Sequence, residues 1–311
     1  MYTDKNKIQH PNEFQTNENG HDMFVPIIAE TAFQPDTQLQ SEKKWMTSNG
    51  LISQRANFEE LFSGESMPGT YIKGIVTKMN GAETLSALAD WTSTHLLLNA
   101  EHVDLSRCEI KSYNRQLNRK TGLLERNFEI ITTSGYHVQV ATQRFLSLDD
   151  PELCALRIQV KSINFEGKIS FTPIIDGAFP NRLFPEREPE WNILQSRTQR
   201  EVAHLWLQIR LSNLQVCEAI SYDFFKNNVQ KKVNPTKIEK QKVAGFSFGT
   251  DVKKNEFVSL HKFACFTNSL NYNYKELTNI ATQKALTARD KGWDALLNDS
   301  NVASAKGIKV E

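Results

Sequence analysis

Between residues 153 and 160 apolar and polar side chains alternate with a period of two, Leu156, Ile158 and Val160 against Arg157 and Gln159. That period places the apolar set on one face of a strand and cannot form the buried stripe of a helix. It returns in 167–175 with Ile169, Phe171, Pro173 and Ile175, and in 201–211. There Ala203, Leu205, Leu207, Ile209 and Leu211 oppose His204, Gln208 and Arg210. Further strands are expected over 127–133, 136–146, 215–224, 242–249 and 256–266. The connections carry turn residues: Ser134-Gly135, Asp149-Asp150-Pro151, Glu166-Gly167 and Asp176-Gly177. Many short strands joined by such turns must cover their apolar faces with a second layer, which predicts a β-sandwich or barrel. The pattern changes near Tyr274. Leu277, Ile280, Ala281, Lys284, Ala285 and Ala288 follow helical spacing, and Trp293, Leu296 and Leu297 extend the stripe past a break at Gly292. Such a stripe has to pack, either on the sandwich or on a partner domain. Residues 1–22 offer almost nothing to bury and are expected as a disordered tail.

Composition removes several function classes. The 311 residues are 39% apolar and 23% charged, which excludes disorder for the bulk of the chain. Lys and Arg number 37 against 36 Asp and Glu, a net charge of +1. That balance predicts no nucleic-acid partner and no attraction to an anionic membrane. No run approaches the roughly 18–20 apolar residues that span a bilayer, and the polar N-terminus lacks a signal-peptide core. Cys108, Cys154, Cys217 and Cys265 lie far apart without a CxxC pair and read as free thiols. A cytoplasmic, reduced protein is the expectation.

Catalytic motifs are missing. The seven histidines show neither HxH nor HExxH spacing, so no metal site is expected; His204 and His261 are expected on or near the polar side of strands. No GxSxG, GxxxxGK[ST] or GxGxxG is present, so hydrolase-elbow, P-loop and Rossmann chemistry lack a starting residue, and no cofactor is implied. Glu59 and Glu60 are adjacent, and neighbours on a strand point to opposite faces, so they do not form an acid/base pair. Asp149, Asp150 and Asp176 read as turn residues. Trp45, Trp91 and Trp191 could stack on sugar rings but fit core positions better. No catalytic residue is assigned.

Three segments carry a resemblance. The run Asn49-Gly50-Leu51-Ile52-Ser53-Gln54-Arg55-Ala56-Asn57-Phe58-Glu59-Glu60, with Phe62-Ser63-Gly64-Glu65 and Gly69-Thr70-Tyr71, resembles the opening motif of the family 65 glycoside phosphorylases, the maltose phosphorylase group. LNRKTGLLERNFEI at 117–130 resembles that family's Gly-Leu turn and outgoing arginine. The stretch 142–182 resembles its following strand pair and Asp-Gly-x-x-x-Asn turn. Ser48 stands where the family carries the first glycine of Gly-Asn-Gly, and the segment between Gly74 and Trp91 is shortened.

The resemblance implies a mainly β fold: a super-β-sandwich of galactose mutarotase type over 23–270, with 271–311 as the linker helix toward an (α/α)6 barrel. In that family the barrel, absent from these residues, holds the general acid. Inorganic phosphate is the co-substrate that attacks an α-linked glucose disaccharide with inversion. The implied role is therefore non-catalytic: supporting the barrel, contributing to a homodimer and rimming the active site. Arg55, Asn57, Glu59 and Glu60 are expected at the barrel interface, with Asp176 and Asn181 behind them. Taken without the resemblance, Asn49-Gly50 and Asp176-Gly177 are turns and Arg55–Glu60 is an internal ion pair. Two alternatives remain: a stand-alone carbohydrate-binding or interaction module, and the N-terminal part of a family 65 trehalose or maltose hydrolase.

Overall fold

In a computed structural model of the protein, the described residues are 14–16, 22–24, 27–79, 82–178 and 190–307. Fourteen strands build the two main sheets. In chain order they are β1 (Ile27–Glu30), β2 (Thr94–Leu98), β3 (Glu101–His102), β4 (Glu109–Asn118), β5 (Leu123–Ile131), β6 (His137–Leu146), β7 (Leu153–Ser162) and β8 (Gly167–Asp176). They continue with β9 (Trp191–Thr198), β10 (Val202–Ile209), β11 (Gln215–Lys226), β12 (Thr236–Lys240), β13 (Val243–Val252) and β14 (Phe257–Asn268). The larger sheet runs β9-β10-β11-β14-β7-β6-β5-β4-β1, with the short strand Val229–Gln230 added to β11; the smaller runs β3-β2-β8-β13-β12. Every pairing within them is antiparallel.

The alternating segments are strands and the architecture is a mainly β sandwich. The alternation in β7 follows from burial: Leu156, Ile158 and Val160 face the smaller sheet and are at most 2% exposed. Leu96, Leu98, Ile169, Phe171, Ile175, Phe246 and Phe248 answer them from the other layer. Trp45, Trp91 and Trp191 are all core residues, 3%, 0% and 3% exposed. The four thiols are free.

The C-terminal stripe packs on the sandwich. Helix α1 (Gln38–Lys44) lies early in the chain; α2 (Leu277–Lys291) and α3 (Trp293–Ala305) end it. Leu277, Ala281, Ala285 and Ala288 meet Ala155, Cys217, Ala219, Phe263 and Cys265 on the outer face of the larger sheet. Alanine at these positions lets the helix approach closely. Ser221 Oγ donates to the Ala285 carbonyl at 2.6 Å, and Lys284 Nζ reaches Asp150 at 2.8 Å and Glu152 at 2.7 Å. Gly292 at φ +83° breaks the two helices, and Trp293 then sets its ring edge-on to Phe145 at 5.2 Å.

Several expectations are corrected. His204 takes the side of β10 opposite the core, as expected, but α2 covers that side: the ring is 3% exposed, with Nε2 2.8 Å from Gln195 Oε1. Burial pushes its pKa down to about 4. Leu211 lies beyond the end of β10 and is exposed. Strands β2, β4 and β9 were not foreseen, their alternation being blurred by polar residues on both faces. Within and just beyond the expected tail Phe14–Thr16 pairs with Asp22–Phe24, while residues 1–13 and 17–21 lie outside the described residues.

The Asn49-Gly50 turn joins distant parts of the fold. Asn49 Nδ2 donates to the Ser147 carbonyl at 2.8 Å and to that of Pro151 at 3.0 Å, while its Oδ1 accepts from the amides of Leu51 and Ile52. Gly50 sits at φ +85°, where a side chain would be strained.

Because Trp293 anchors the helix pair to Phe145, Trp293→Ala is expected to lower unfolding free energy by about 3–5 kcal/mol in urea titrations. A loss below about 1 kcal/mol would show that the helices are held elsewhere.

Candidate functional site

On the inner face of the larger sheet, four inward positions carry cations instead of aliphatics. Arg115 on β4 lies opposite Arg126 on β5, while Arg144 on β6 and Lys262 on β14 both face Leu156 of the intervening β7. All four are at most 3% exposed. The segment from Gln54 to Glu60 supplies the counter-charge.

Arg126 Nη1 donates to Glu60 Oε1 at 2.7 Å, and its Nη2 donates to Glu60 Oε2 at 2.6 Å and also to Glu59 Oε2. Arg144 Nη1 lies 3.0 Å from Glu59 Oε1 and also donates to the Asn57 carbonyl, while its Nη2 donates to that of Arg55. The Arg126 guanidinium lies over the rings of Phe58 at 4.5 Å and Phe128 at 5.3 Å. Arg115 pairs with Glu30 at 2.7 Å and lies over Trp45 at 4.7 Å.

Glu59 and Glu60 thus converge on one guanidinium. They occupy a bend after Phe58 and not a strand, so the opposite-faces expectation does not apply. Nor is there an Arg55–Glu60 pair: Glu60 is taken by Arg126, and Arg55 sits 3.7 Å from Glu42 and donates to the Leu39 carbonyl.

A second group adjoins the first. Asn57 Nδ2 donates to Thr92 Oγ1 at 2.8 Å, and Asp90 Oδ1 accepts from the Thr92 hydroxyl and amide. Asp90 and Asp176 exchange backbone hydrogen bonds, and Lys262 Nζ donates to the carbonyls of Ser93 and Ile174, each at 2.8 Å. Among the expected site residues, Arg55, Asn57, Glu59 and Glu60 are consecutive parts of this assembly and Asp176 adjoins it. Asn181 lies outside the described residues. Asn57, Glu59 and Glu60 are 2%, 3% and 6% exposed, the two glutamates turned onto the chain's own arginines and the Asn57 side chain onto Thr92 and Gln54, whereas Arg55 and Asp176 are half-buried. The sequence reading did not foresee Arg126, Arg144 and Lys262; their signal was a cation at an inward strand position.

Electrostatics separates these groups. Burial would raise the Glu59 carboxyl, but Arg126 and Arg144 outweigh it and hold Glu59 below the usual carboxylate range. Asp90 is raised by burial despite its Thr92 hydrogen bonds and Lys262. Glu218 is raised by burial well above the ordinary value, its single partner being the Ala89 amide at 3.0 Å. Burial depresses Lys262 to about 7, against the pull of Asp90, Glu59 and Asp176. An acid/base pair for glycoside cleavage needs one protonated and one ionised carboxyl facing a substrate. Glu59 and Glu60 have their oxygens spent on arginine, so the cluster is a brace. Among the described residues no group of three or more His, Cys, Asp and Glu is placed to hold a metal.

The family model for the N-terminal domain of glycosyl hydrolase family 65 matches residues 28–306. An alpha,alpha-trehalose phosphorylase of Thermoanaerobacter brockii is 26% identical over 293 residues, 87% of this chain and 38% of that protein. The maltose phosphorylase of Bacillus subtilis strain 168 is 30% identical over 157 residues, 46% of this chain and 20% of that protein. A solved structure described as a putative kojibiose phosphorylase from human microbiome has the same fold, with a TM-score of 0.79 at 18% identity over 90% of this chain and 37% of that one. The chain therefore spans well under half the length of the relatives it matches.

Removing Arg126 strands the buried Glu60 and leaves Glu59 with Arg144 alone, so Arg126→Met is expected to cost about 3–5 kcal/mol, partly restored by adding Glu59→Gln and Glu60→Gln. Denaturant titrations of the single and triple variants check this; equal stabilities would refute the brace. Glu59's lowered pKa gives stability that is complete above its unfolded value of 4.5 and lost as pH falls through the lower folded one. Lys262 acts in the other direction. With a folded pKa of about 7 against 10.5, the unfolded chain binds more protons between those values, so stability rises with pH there. Thermal melts across pH 7–10.5 should show a steeper rise for the wild type than for Lys262→Met.

Proposed function

Since the chain belongs to glycosyl hydrolase family 65, whose N-terminal domain it matches over residues 28–306, we propose that it is the non-catalytic sandwich of an inverting α-glucoside phosphorylase. In this reading the whole enzyme cleaves a maltose-, trehalose- or kojibiose-type disaccharide with inorganic phosphate in a helical barrel. The sandwich supports that barrel and contributes to a homodimer. One observation carries the non-catalytic assignment: Glu59 and Glu60, the adjacent carboxylates of the family-like opening motif, are sealed against Arg126 and Arg144. Phosphorolysis needs one acid on the leaving oxygen while phosphate attacks from the opposite face, and a carboxylate fully occupied by guanidinium cannot serve.

A rigid brace suits a support role. Asn57, Glu59 and Glu60 hold the loop from within, and the partly exposed Arg55 and Asp176 are left to touch a barrel directly. Arg55 brings a planar fork suited to helix carbonyls or a carboxylate across an interface.

The purified 311-residue chain is expected to release no glucose 1-phosphate from maltose, trehalose or kojibiose in phosphate buffer, followed by a coupled glucose 1-phosphate assay. Sustained phosphate-dependent turnover that Glu59→Gln abolishes would overturn the non-catalytic assignment.

A further inference from the structure

Helices α2 and α3 cover only part of the outer face of the larger sheet. Over the rest, strand registers align outward side chains in rows running across the strands. The middle row is Asn114, Asn127, Ala141, Gln159, Ser259 and Phe225, each directly opposite the next on β4, β5, β6, β7, β14 and β11. Five strand spacings make this row about 24 Å long.

The rows on either side are partly satisfied within the chain, Ser112, Lys161 and His261 being the members whose side chains make no hydrogen bond among the described residues. On one, Gln116 and Gln143 both donate to Glu125, and Arg157 Nε donates to Gln143 Oε1 at 2.9 Å while stacking over Trp293 at 4.9 Å. On the other, Gln139 donates to Glu129 at 3.1 Å, and His137 Nε2 lies 2.6 Å from the same carboxylate. The middle row differs. The side-chain amides of Asn114, Asn127 and Gln159 make no hydrogen bond among the described residues. Ser259 is 5% exposed, outward by register, and its Oγ has no partner. A buried hydroxyl left unpaired costs free energy unless something docks against it.

Two cavities of about 670 and 700 Å³ lie along this row and join at Ala141 and Gln159. Ala141, the smallest side chain of the row, forms the floor between the flanking rows. Phe257 closes one cavity, and Phe225 with His261 lines the other. Burial depresses His261 to about 3, so its ring is neutral at physiological pH.

We propose that this trough binds a neutral oligosaccharide lying across the strands, held by Asn114, Asn127, Gln159 and Ser259. Amides both donate and accept, matching vicinal hydroxyls, and the phenyl rings offer flat apolar surface for the sugar faces. An amphipathic helix would need an apolar stripe that this floor lacks. An anion would need several free cations: of those lining the two cavities Arg157 is engaged by Gln143 and Trp293 and Lys291 by Asp299, leaving Lys161 alone, and Glu129, Asp223 and Asp294 line the same cavities. The choice of α-linked glucose units as ligand rests on the family reading given above; the trough itself does not.

Isothermal titration of the full chain with maltoheptaose and, separately, cellohexaose tests this. Saturable millimolar or tighter binding of maltoheptaose is expected. Asn127→Ala and Gln159→Ala should each weaken it about fivefold, the worth of one hydrogen bond, and Ala141→Trp should abolish it by filling the floor. Thermal melts confirm that the variants stay folded. Binding of cellohexaose alone, weakened by the same variants, supports the trough and counts against the α-glucoside reading. No heat with either sugar, or binding indifferent to all three substitutions, would overturn the proposal.

Discussion

Arg126 sets the terms on which the two layers meet. It sits between Leu124 and Phe128, both inward and buried, so it cannot turn to solvent without a one-residue slip that would expose its neighbours. A guanidinium fixed there needs carboxylates delivered to it, and the bend at Glu59-Glu60 is the delivery. The effect propagates. The Glu59 carbonyl accepts from the amide of Thr94, the first residue of β2, at 2.7 Å, so the loop that neutralises the larger sheet also pins an element of the smaller one. Gln54 extends the hold, its Oε1 accepting from the Trp91 indole at 2.8 Å and from the Thr70 hydroxyl at 2.6 Å. The family-like opening motif is therefore an inter-layer clasp. A buried ion pair adds little net stability, but losing one partner is expensive, which makes such a clasp specific about where the loop goes.

What the sequence disclosed follows from which physical signal each part emits. β7, β8 and β10 have aliphatic inward faces, and a period of two is visible in them by eye. β4 was hidden because its inward set is Tyr113, Arg115 and Leu117, which does not look like a core. The same substitution of cations for aliphatics hid the site. Glu59 and Glu60 were legible as candidates from their motif, but their partners lie 66 or more residues away on β5 and β6, and pairing at that distance leaves no local pattern. The helix break was legible because Gly292 is a local signal. The side that His204 takes was legible and its burial was not, because alternation reports which face a residue takes, not whether a helix later covers that face.

The outer face shows how cover and openness are divided. Ala281, Ala285 and Ala288 let α2 lie close over the ends of β11, β14 and β7 that carry small residues, Ala219, Cys265 and Ala155. Farther along the same strands the outward residues become Phe225, Ser259 and Gln159, and no alanine-faced helix would seat over them. The turn at Gly292 stops α2 at that boundary. Trp293 then turns inward onto Phe145 and offers its face to Arg157. The helix break is thus also the end wall of the open trough, and one glycine determines both where cover stops and where open surface begins.

Polar groups in this fold divide by whether the chain itself satisfies them. Inside, each cation of the stripe has at least one partner: Arg126 and Arg144 have Glu59, Arg115 has Glu30, and Lys262 has two carbonyls. Such groups specify the structure, and the donors they leave unpaired, Nε and Nη1 of Arg115 and Nε of Arg144, are buried away from any ligand in solution. Outside, Asn114, Asn127, Gln159 and Ser259 stand in register without a side-chain partner among the described residues, between rows in which Glu125 and Glu129 gather the neighbouring amides. The flanking glutamates, Glu125 and Glu129, draw the amides of Gln116, Gln143 and Gln139 toward themselves and away from the middle. A charge that organises its neighbours leaves a neutral lane beside it, and a lane of free amides over an alanine floor discriminates by hydroxyl pattern instead of by charge.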